Sequence, residues 1–229
     1  MMPAVDLRKG GKLGPIVVDN IVKEYETTIG IRRILDGISF TLGAGEKMAV
    51  FGRNGAGKST LVKIMGGVEF PTSGQIVRGM SMSWPLALSG GFESSMSGFD
   101  NIRFIARIYN KPVEDVSAFV DDFAELGRQL YLPVMNYSNG MRARLAFALT
   151  LAVDFDCFLI DEVISVGDQR FHAKCHEALF VKRAHCAMIL VSHDLHIIKE
   201  YCSKALVLKN GRGRVFDDLE LAIDIYSTL

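Results

Sequence analysis

The run Gly52-Arg53-Asn54-Gly55-Ala56-Gly57-Lys58-Ser59 constrains this chain more than any other. It follows an apolar stretch, Lys47 to Phe51, and leads into a helical stretch from Lys58 to about Gly66, stopped by the Gly66-Gly67 pair. Its glycines let the backbone curl until successive N–H groups point together at phosphate oxygens. A helix beginning at Lys58 aims the positive end of its dipole at the same spot. In the G-x-x-x-x-G-K-[ST] pattern the lysine reaches the β- and γ-phosphates, and the serine hydroxyl sits where Mg²⁺ is ligated. Gly52, Arg53, Asn54, Gly55, Ala56, Gly57, Lys58, Ser59 and the following Thr60 are therefore the expected phosphate-binding stretch, with Ser59 also a metal ligand. A glycine turn beside a lysine is the bland alternative. By chance, though, a chain of this length meets the pattern about once in a hundred, and here it stands between a strand and a helix, as the chemistry requires.

Further along, Cys157-Phe158-Leu159-Ile160 is a short apolar run, read as a buried strand, that ends in Asp161-Glu162. Acids at the C-terminal edge of a parallel strand face the crevice where such sheets bind ligands. Asp161 is placed there to hold Mg²⁺ through water, and Glu162 to polarise an attacking water as general base. The same pair after four apolar residues is also an ordinary solvated strand end. The phosphate loop upstream is what favours metal and water chemistry.

The rest of the chain reads as α/β. Strands are expected at Ile16 to Tyr25, Arg33 to Leu42, Ala187 to Val191 and Ala205 to Leu208. The middle changes character. Ile102, Ile105, Ile108 and Tyr109, and then Val116, Phe119, Val120, Phe123 and Leu126, recur at helical spacing, and a third helix is expected from Asn139 to about Val153. The expected architecture is a mixed or parallel sheet core spanning residues 16–229, with a helical subdomain inserted at approximately residues 84–150 and a flexible tail over residues 1–15.

With 229 residues, 49% of them hydrophobic, the chain can bury a core of that size. Lys plus Arg and Asp plus Glu each number 26, so the overall charge gives no footprint for nucleic acid. No run approaches the roughly 18–20 continuous apolar residues of a membrane-spanning helix. Arg8, Lys9 and Lys12 have no apolar stretch behind them, unlike a secretory signal. Cys157, Cys175, Cys186 and Cys202 form no Cys-x-x-Cys pair and suit a reducing compartment.

Tyr137-Ser138-Asn139-Gly140-Met141 heads the third predicted helix. It resembles the Leu-Ser-Gly-Gly-Gln signature of the ATP-binding-cassette (ABC) family of P-loop NTPases, keeping Ser138 and Gly140 and departing at Asn139 and Met141. Standing alone, it would read as an ordinary serine helix cap. Ser192-His193-Asp194 resembles the family's switch-histidine site, and Ser165-Val166-Gly167-Asp168 its dimer-contact loop. Tyr25 resembles the aromatic that stacks on adenine, although a core or surface tyrosine would read the same. The resemblance implies an ABC-type nucleotide-binding domain that uses ATP and Mg²⁺. It casts Glu162, His193 and Lys58 as catalytic, Tyr25, Ser138, Asn139, Gly140 and Asp168 as ATP-binding beside the phosphate loop, and Ser59 and Asp161 as metal ligands. The family's glutamine at the entrance to the helical lobe is missing. The stretch reads Ser83-Trp84-Pro85-Leu86-Ala87-Leu88-Ser89-Gly90-Gly91-Phe92, and Gln75 lies too early to serve. Either Ser89 or a neighbour substitutes through water, or coupling is relayed differently.

Ser83 to Leu86, Gly90 to Phe92, Gly98 to Ile102 and Val166 to Phe171 look like the cassettes that export polysaccharides. The chain stops at Leu229 without the carbohydrate-binding domain of O-antigen exporters or the extensions of teichoic-acid exporters. On that account it is most similar to the short ATPases of Gram-negative capsular polysaccharide exporters. The resemblance implies a homodimer closing over two ATP and an integral membrane permease dimer. It also implies periplasmic and outer-membrane export proteins downstream, no nucleic acid partner, and a peripheral place at the cytoplasmic face of the inner membrane. Three alternatives stand beside it: a soluble cassette acting on ribosomes or nucleic acid, an exporter of another glycan, and a phosphate-loop kinase. The first is separated by copurification with an integral membrane protein. The last leaves the helix headed by Ser138 without a role.

Overall fold

A computed structural model describes residues 13–86, 93–161 and 168–229. In chain order it contains β1 (Ile16–Thr27), β2 (Gly30–Leu42), β3 (Lys47–Gly52), α1 (Lys58–Met65), β4 (Ser73–Arg78), α2 (Gly98–Ile108), α3 (Val113–Ala124), α4 (Asn139–Ala152), β5 (Cys157–Asp161), α5 (Gln169–His176), β6 (Ala187–Val191), α6 (Leu195–Tyr201), β7 (Lys204–Lys209), β8 (Arg212–Phe216) and α7 (Leu219–Ser227). Short 3-10 turns at Gly127–Tyr131 and Val134–Asn136 precede α4, and a π-helical turn, Glu177–Val181, continues α5. The described residues form two compact units, one drawn from Met1–Pro85, Asp156–Asp161 and His185–Leu229, the other from Leu86–Phe155 and Glu162–Ala184.

The first unit holds two sheets. One has the order β5-β6-β3-β7-β8, with β5, β6, β3 and β7 parallel and β8 returning antiparallel along β7. Its inner strand β6 is apolar from end to end because both faces are covered, and all five of its residues are buried. The other is an antiparallel sheet of order β2-β1-β4. Ile16, Ile21, Leu35 and Ile38 from this sheet share one core with Met48, Leu61, Leu159 and Leu206. Burying such side chains is worth about 1.5–3 kcal/mol each, and this burial holds α1 and the strand ends in place. Arg78 at the end of β4 donates to the carbonyls of Ile64 (3.1 Å) and Met65 (3.0 Å). A cation thereby closes the negative end of α1.

β4 carries no readable alternation, since five of its six residues are exposed. Sequence periodicity gives no strand there, and the element exists through its pairing with β1. Ser83 ends a segment that extends the edge of β5. Its N–H donates to the Cys157 carbonyl at 2.9 Å, and its buried hydroxyl accepts the Leu159 N–H at 2.9 Å. Gln75 lies in β4 opposite Asp19, in the antiparallel sheet.

In the second unit α4 is buried continuously from Leu145 to Leu151. Phe147 stacks with Phe123 of α3 at 6.0 Å, and both meet the Phe171 ring of α5 edge-on. The run Gly98 to Ile102 becomes intelligible here. Ser97 caps α2 by accepting the Asp100 N–H, and the fully buried Asn101 side chain donates to the carbonyls of Glu93 and Ser97. A Cβ at Gly98 would lie 2.4 Å from the Tyr137 hydroxyl, so the start of α2 approaches the head of α4 only as glycine.

Candidate nucleotide site

The phosphate loop leaves β3 through a tight turn in which Ala56 N–H donates to the Arg53 carbonyl at 3.0 Å. Gly55 (φ 83°) and Gly57 (φ 105°) both adopt left-handed backbone, which a side chain would strain. Gly57 is the N-cap of α1 and supplies no side chain to it, and the first turn of α1 contains no acid. Among the described α-helices this start alone has neither. α2, α4, α5, α6 and α7 are capped by Ser97, Ser138, Asp168, Asp194 and Asp218, and α3 carries Glu114 and Asp115 in its first turn. The orphan N–H groups and dipole of α1 are thus left to an external anion. Lys58 Nζ donates to the carbonyls of Gly52 (2.6 Å) and Arg53 (3.4 Å), which hold the ammonium over the loop. Arg53, Asn54, Gly55 and Ser59 are exposed, and Thr60 is half-buried.

Register brings the remaining strand ends alongside. β3 pairs with β6 (Ala49 opposite Leu190), and β6 pairs with β5 (Asp161 opposite Val191). β3 and β6 run into the phosphate loop and Ser192-His193-Asp194, and β5 ends in Asp161, so these three lie at the same edge of the sheet. The turn carrying the exposed His193 is pinned from both sides. Ser192 Oγ accepts the Asp194 N–H at 3.0 Å, and Asp194 caps α6 by accepting the N–H groups of His196 and Ile197. Asp161 is half-buried. A serine hydroxyl and one carboxylate are hard oxygen donors that fit Mg²⁺, an ion that keeps water and phosphate oxygens for its other positions. No cluster of three or more His, Cys, Asp or Glu residues that could hold a metal occurs among the described residues. Glu162 lies outside the described residues, as do Ser165, Val166 and Gly167 and the stretch from Ala87 to Phe92.

Tyr25 sits near the end of β1, about one-third exposed, with Lys23 Nζ 4.9 Å from its ring centroid. Its hydroxyl donates to Glu69 and also engages Thr60 at the start of α1. Burial, and then the Glu69 carboxylate, raise the tyrosine pKa. Glu69 in turn pairs with Lys63 (3.4 Å) and Lys23 (3.6 Å), and its carboxyl is held below the usual range, first by the Tyr25 hydroxyl. The sequence carries no sign of this carboxylate's role. Glu69 lies in a loop with no motif, and only the fold brings it to β1.

In the second unit, Ser138 caps α4 by accepting the Met141 N–H at 3.2 Å, and Asn139 Oδ1 accepts from Arg142 at 3.3 Å. Ser138 and Asn139 are exposed, and a Cβ at Gly140 would meet nothing closer than 3.9 Å, so this helix start is open to a ligand or a second molecule. Tyr137 is the buried anchor beneath it, 3% exposed and donating to the Gln129 carbonyl at 2.6 Å. Asp168 is committed within its own unit. One oxygen accepts the Phe171 N–H (2.9 Å) and caps α5, and the other takes Arg144 at 2.7 Å. Neither bond is signalled by the sequence around Asp168. They hold its carboxyl below the usual range, the Phe171 N–H first. Arg144 lies over the Phe171 ring at 4.7 Å and so ties α4 to α5, a role that periodicity could not show.

A central sheet whose apolar strands end in an uncapped, glycine-hinged helix start defines a phosphate-loop nucleotide-binding protein, and a serine-capped α4 leading into β5 places it among the ATP-binding cassettes. The ABC transporter family model matches residues 35–165, more than half of the chain, and the chain belongs to that family. It is 54% identical over 214 residues to the capsule polysaccharide export ATP-binding protein CtrD of Neisseria meningitidis serogroup B, covering 93% of this chain and 99% of that protein. It is 53% identical over 212 residues to the ATP-binding protein BexA of Haemophilus influenzae, covering 93% and 98%. Among solved structures, the ATP-binding subunit of an ABC transporter superposes with a TM-score of 0.76 over 93% of this chain and 99% of that one, at 20% identity, a likeness of fold.

Proposed function

We propose that this chain is the ATP-hydrolysing subunit of a transporter that exports lipid-linked capsular polysaccharide. The observation that carries the reading is the 54% identity to a capsule export ATP-binding protein along 93% of the chain. Two copies close head to tail over two ATP. Each site takes Lys58, Ser59, Asp161, Glu162 and His193 from one copy and Ser138, Asn139 and Gly140 from the other. Tyr25 stacks on the adenine, and stacking gives affinity with little base selectivity. Lys58 and the first-turn N–H groups of α1 grip the β- and γ-phosphates. Ser59 and Asp161 would hold Mg²⁺, which when bound neutralises charge on the phosphate oxygens. Glu162 takes a proton from water as the water oxygen bonds to the γ-phosphorus and the bond to the ADP oxygen breaks. The donors of Ser138 and Gly140 face the same terminal phosphate from the opposite side. Its loss removes the bridge, and the two copies part.

No helix among the described residues is long and apolar enough to cross a membrane. In this reading the polymer's path lies in a separate permease dimer. That permease is engaged beside the helical subdomain, residues 84–150, at the cytoplasmic face of the inner membrane, and periplasmic and outer-membrane proteins continue the path.

Glu162→Gln should abolish turnover and trap an ATP-bound dimer, seen by size exclusion in ATP and Mg²⁺. Turnover at the wild-type rate would remove Glu162 as the base, and a monomer in saturating nucleotide beside its permease would remove the sandwich. In the producing cell, Lys58→Ala should leave capsular polymer inside. Undiminished surface polymer would refute the cargo.

A further inference from the structure

Helix α7 brings the end of the described chain against the nucleotide machinery of its own unit. The Tyr226 ring stacks on Phe51, with centroids 4.9 Å apart and 13° between planes, and Phe51 immediately precedes Gly52 of the phosphate loop. The Tyr226 hydroxyl lies 3.3 Å from Nδ1 of His193. Arg53, inside the loop, donates to the main-chain carbonyl of Leu229 at 3.1 Å. The helix is itself held firmly. Asp218 caps it through the Leu221 N–H, Ala222 and Ile223 are buried, and Glu220 pairs at 2.8 Å with Lys199 of α6, the helix that follows His193.

A neutral imidazole carries its hydrogen on one nitrogen, and the partner of the other nitrogen decides which. Terminal phosphate oxygens accept hydrogen bonds, so the histidine that meets them must present N–H and not a lone pair. With the hydrogen on Nδ1, Nε2 would turn a lone pair toward the phosphate. A hydroxyl donating to Nδ1 excludes that form and leaves the hydrogen on Nε2. Such a partner also fixes the ring's orientation, as the outer hydrogen bond of a metal-bound histidine does. Phe51 is 2% exposed, so the tyrosine stacked on it has a rigid backing.

We infer that Tyr226 is a positioning residue for ATP hydrolysis: its hydroxyl donates to Nδ1 of His193 and holds the ring in the Nε2–H form that faces the terminal phosphate. The inference rests on the reading of His193 given above. α7 thereby joins the switch histidine to Phe51, the residue just before the phosphate loop, through one side chain that touches both.

Long-range ¹H–¹⁵N correlation spectra of histidine-labelled protein read the tautomer directly. The chain has five histidines, and the His193 signals are those lost in His193→Ala. Wild-type protein should show His193 protonated at Nε2. Tyr226→Phe keeps the ring on Phe51 and removes only the hydroxyl. It should shift His193 toward the Nδ1–H form and lower kcat about 3- to 10-fold, the scale of one hydrogen bond, with KM for ATP changed less than about twofold. In a His193→Ala background the same substitution should have no further effect on kcat, because the two residues act as one unit. An unchanged tautomer in Tyr226→Phe overturns the inference, and so does a shifted tautomer with unchanged turnover. Failure of the underlying reading looks different: His193→Ala would hydrolyse ATP at the wild-type rate while the tautomer still responded to Tyr226→Phe.

Discussion

Gly57 meets two demands at one Cα. Its φ of 105° belongs to the left-handed region, and a Cβ there would lie 2.7 Å from Leu35 Cδ2 and 3.1 Å from the Ile34 carbonyl oxygen. The motif requires glycine at this place, but only the packing of β2 under the loop shows why a small side chain is not tolerated. Gly57→Ala should therefore destabilise the protein by about 1–3 kcal/mol in urea unfolding. It should also weaken ATP binding at least about tenfold in a fluorescence titration, because the N–H groups of α1 are turned off their target. An unaltered Kd would mean that the hinge conformation does not set the site. Tyr25 gives the complementary lesson. The aromatic is legible in the chain, whereas the Glu69 carboxylate that orients its hydroxyl is not.

Among the elements, β3 and β7 matter most to the loop, since β7 lies directly alongside β3 with Phe51 opposite Val207. Their N-terminal ends are tied by Glu46, which accepts from Lys204 at the start of β7 and from the Gly43 N–H at 2.6 Å. Lys204 first, then Gly43, holds this carboxyl below its ordinary value of 4.5. A carboxyl whose pKa is lowered by folding contributes stability that is complete above its unfolded value and is lost as pH falls through the folded one. Glu46 is partly solvated, so the effect is that of a screened pair. Glu46→Gln should melt about 1–3 °C below wild type near neutrality. The two curves should converge as the pH falls below the ordinary carboxylate range. A constant gap between them at all pH values would assign the loss to packing instead of charge.

Across the whole molecule the four cysteines report the integrity of both units. Cys157, Cys186 and Cys202 lie in the unit of the phosphate loop and Cys175 in the other, and all four are buried thiols. Burial pushes the Cys175 and Cys202 thiols up to about 12 and that of Cys157 higher still. Thiols that are neither ionised nor accessible do not alkylate. Native protein near neutral pH should resist iodoacetamide at all four positions and take up the label only as it unfolds. Labelling of the folded protein within minutes would contradict the burial.

What the chain declares locally is whatever depends on near neighbours. The phosphate loop is one contiguous run whose every residue type answers to a phosphate. β3, β5 and β6 announce themselves because strands covered on both faces carry near-continuous apolar runs. α4 is legible from Ser138 onward because a cap and an apolar stretch adjoin. What depends on distant residues meeting was left to the tertiary structure. β4 is too exposed to carry a pattern and is made a strand by β1, and the sheet it completes is antiparallel and separate from the parallel one. α6, β8 and α7 are short elements whose stability comes from what they touch. Asp168 resembles part of a dimer-contact loop in the sequence, and only the fold brings Arg144 to it on α4 as an ion-pair partner. Tyr226 stands 33 positions from His193, and no periodicity links them; the placement of α7 across the strand ends does.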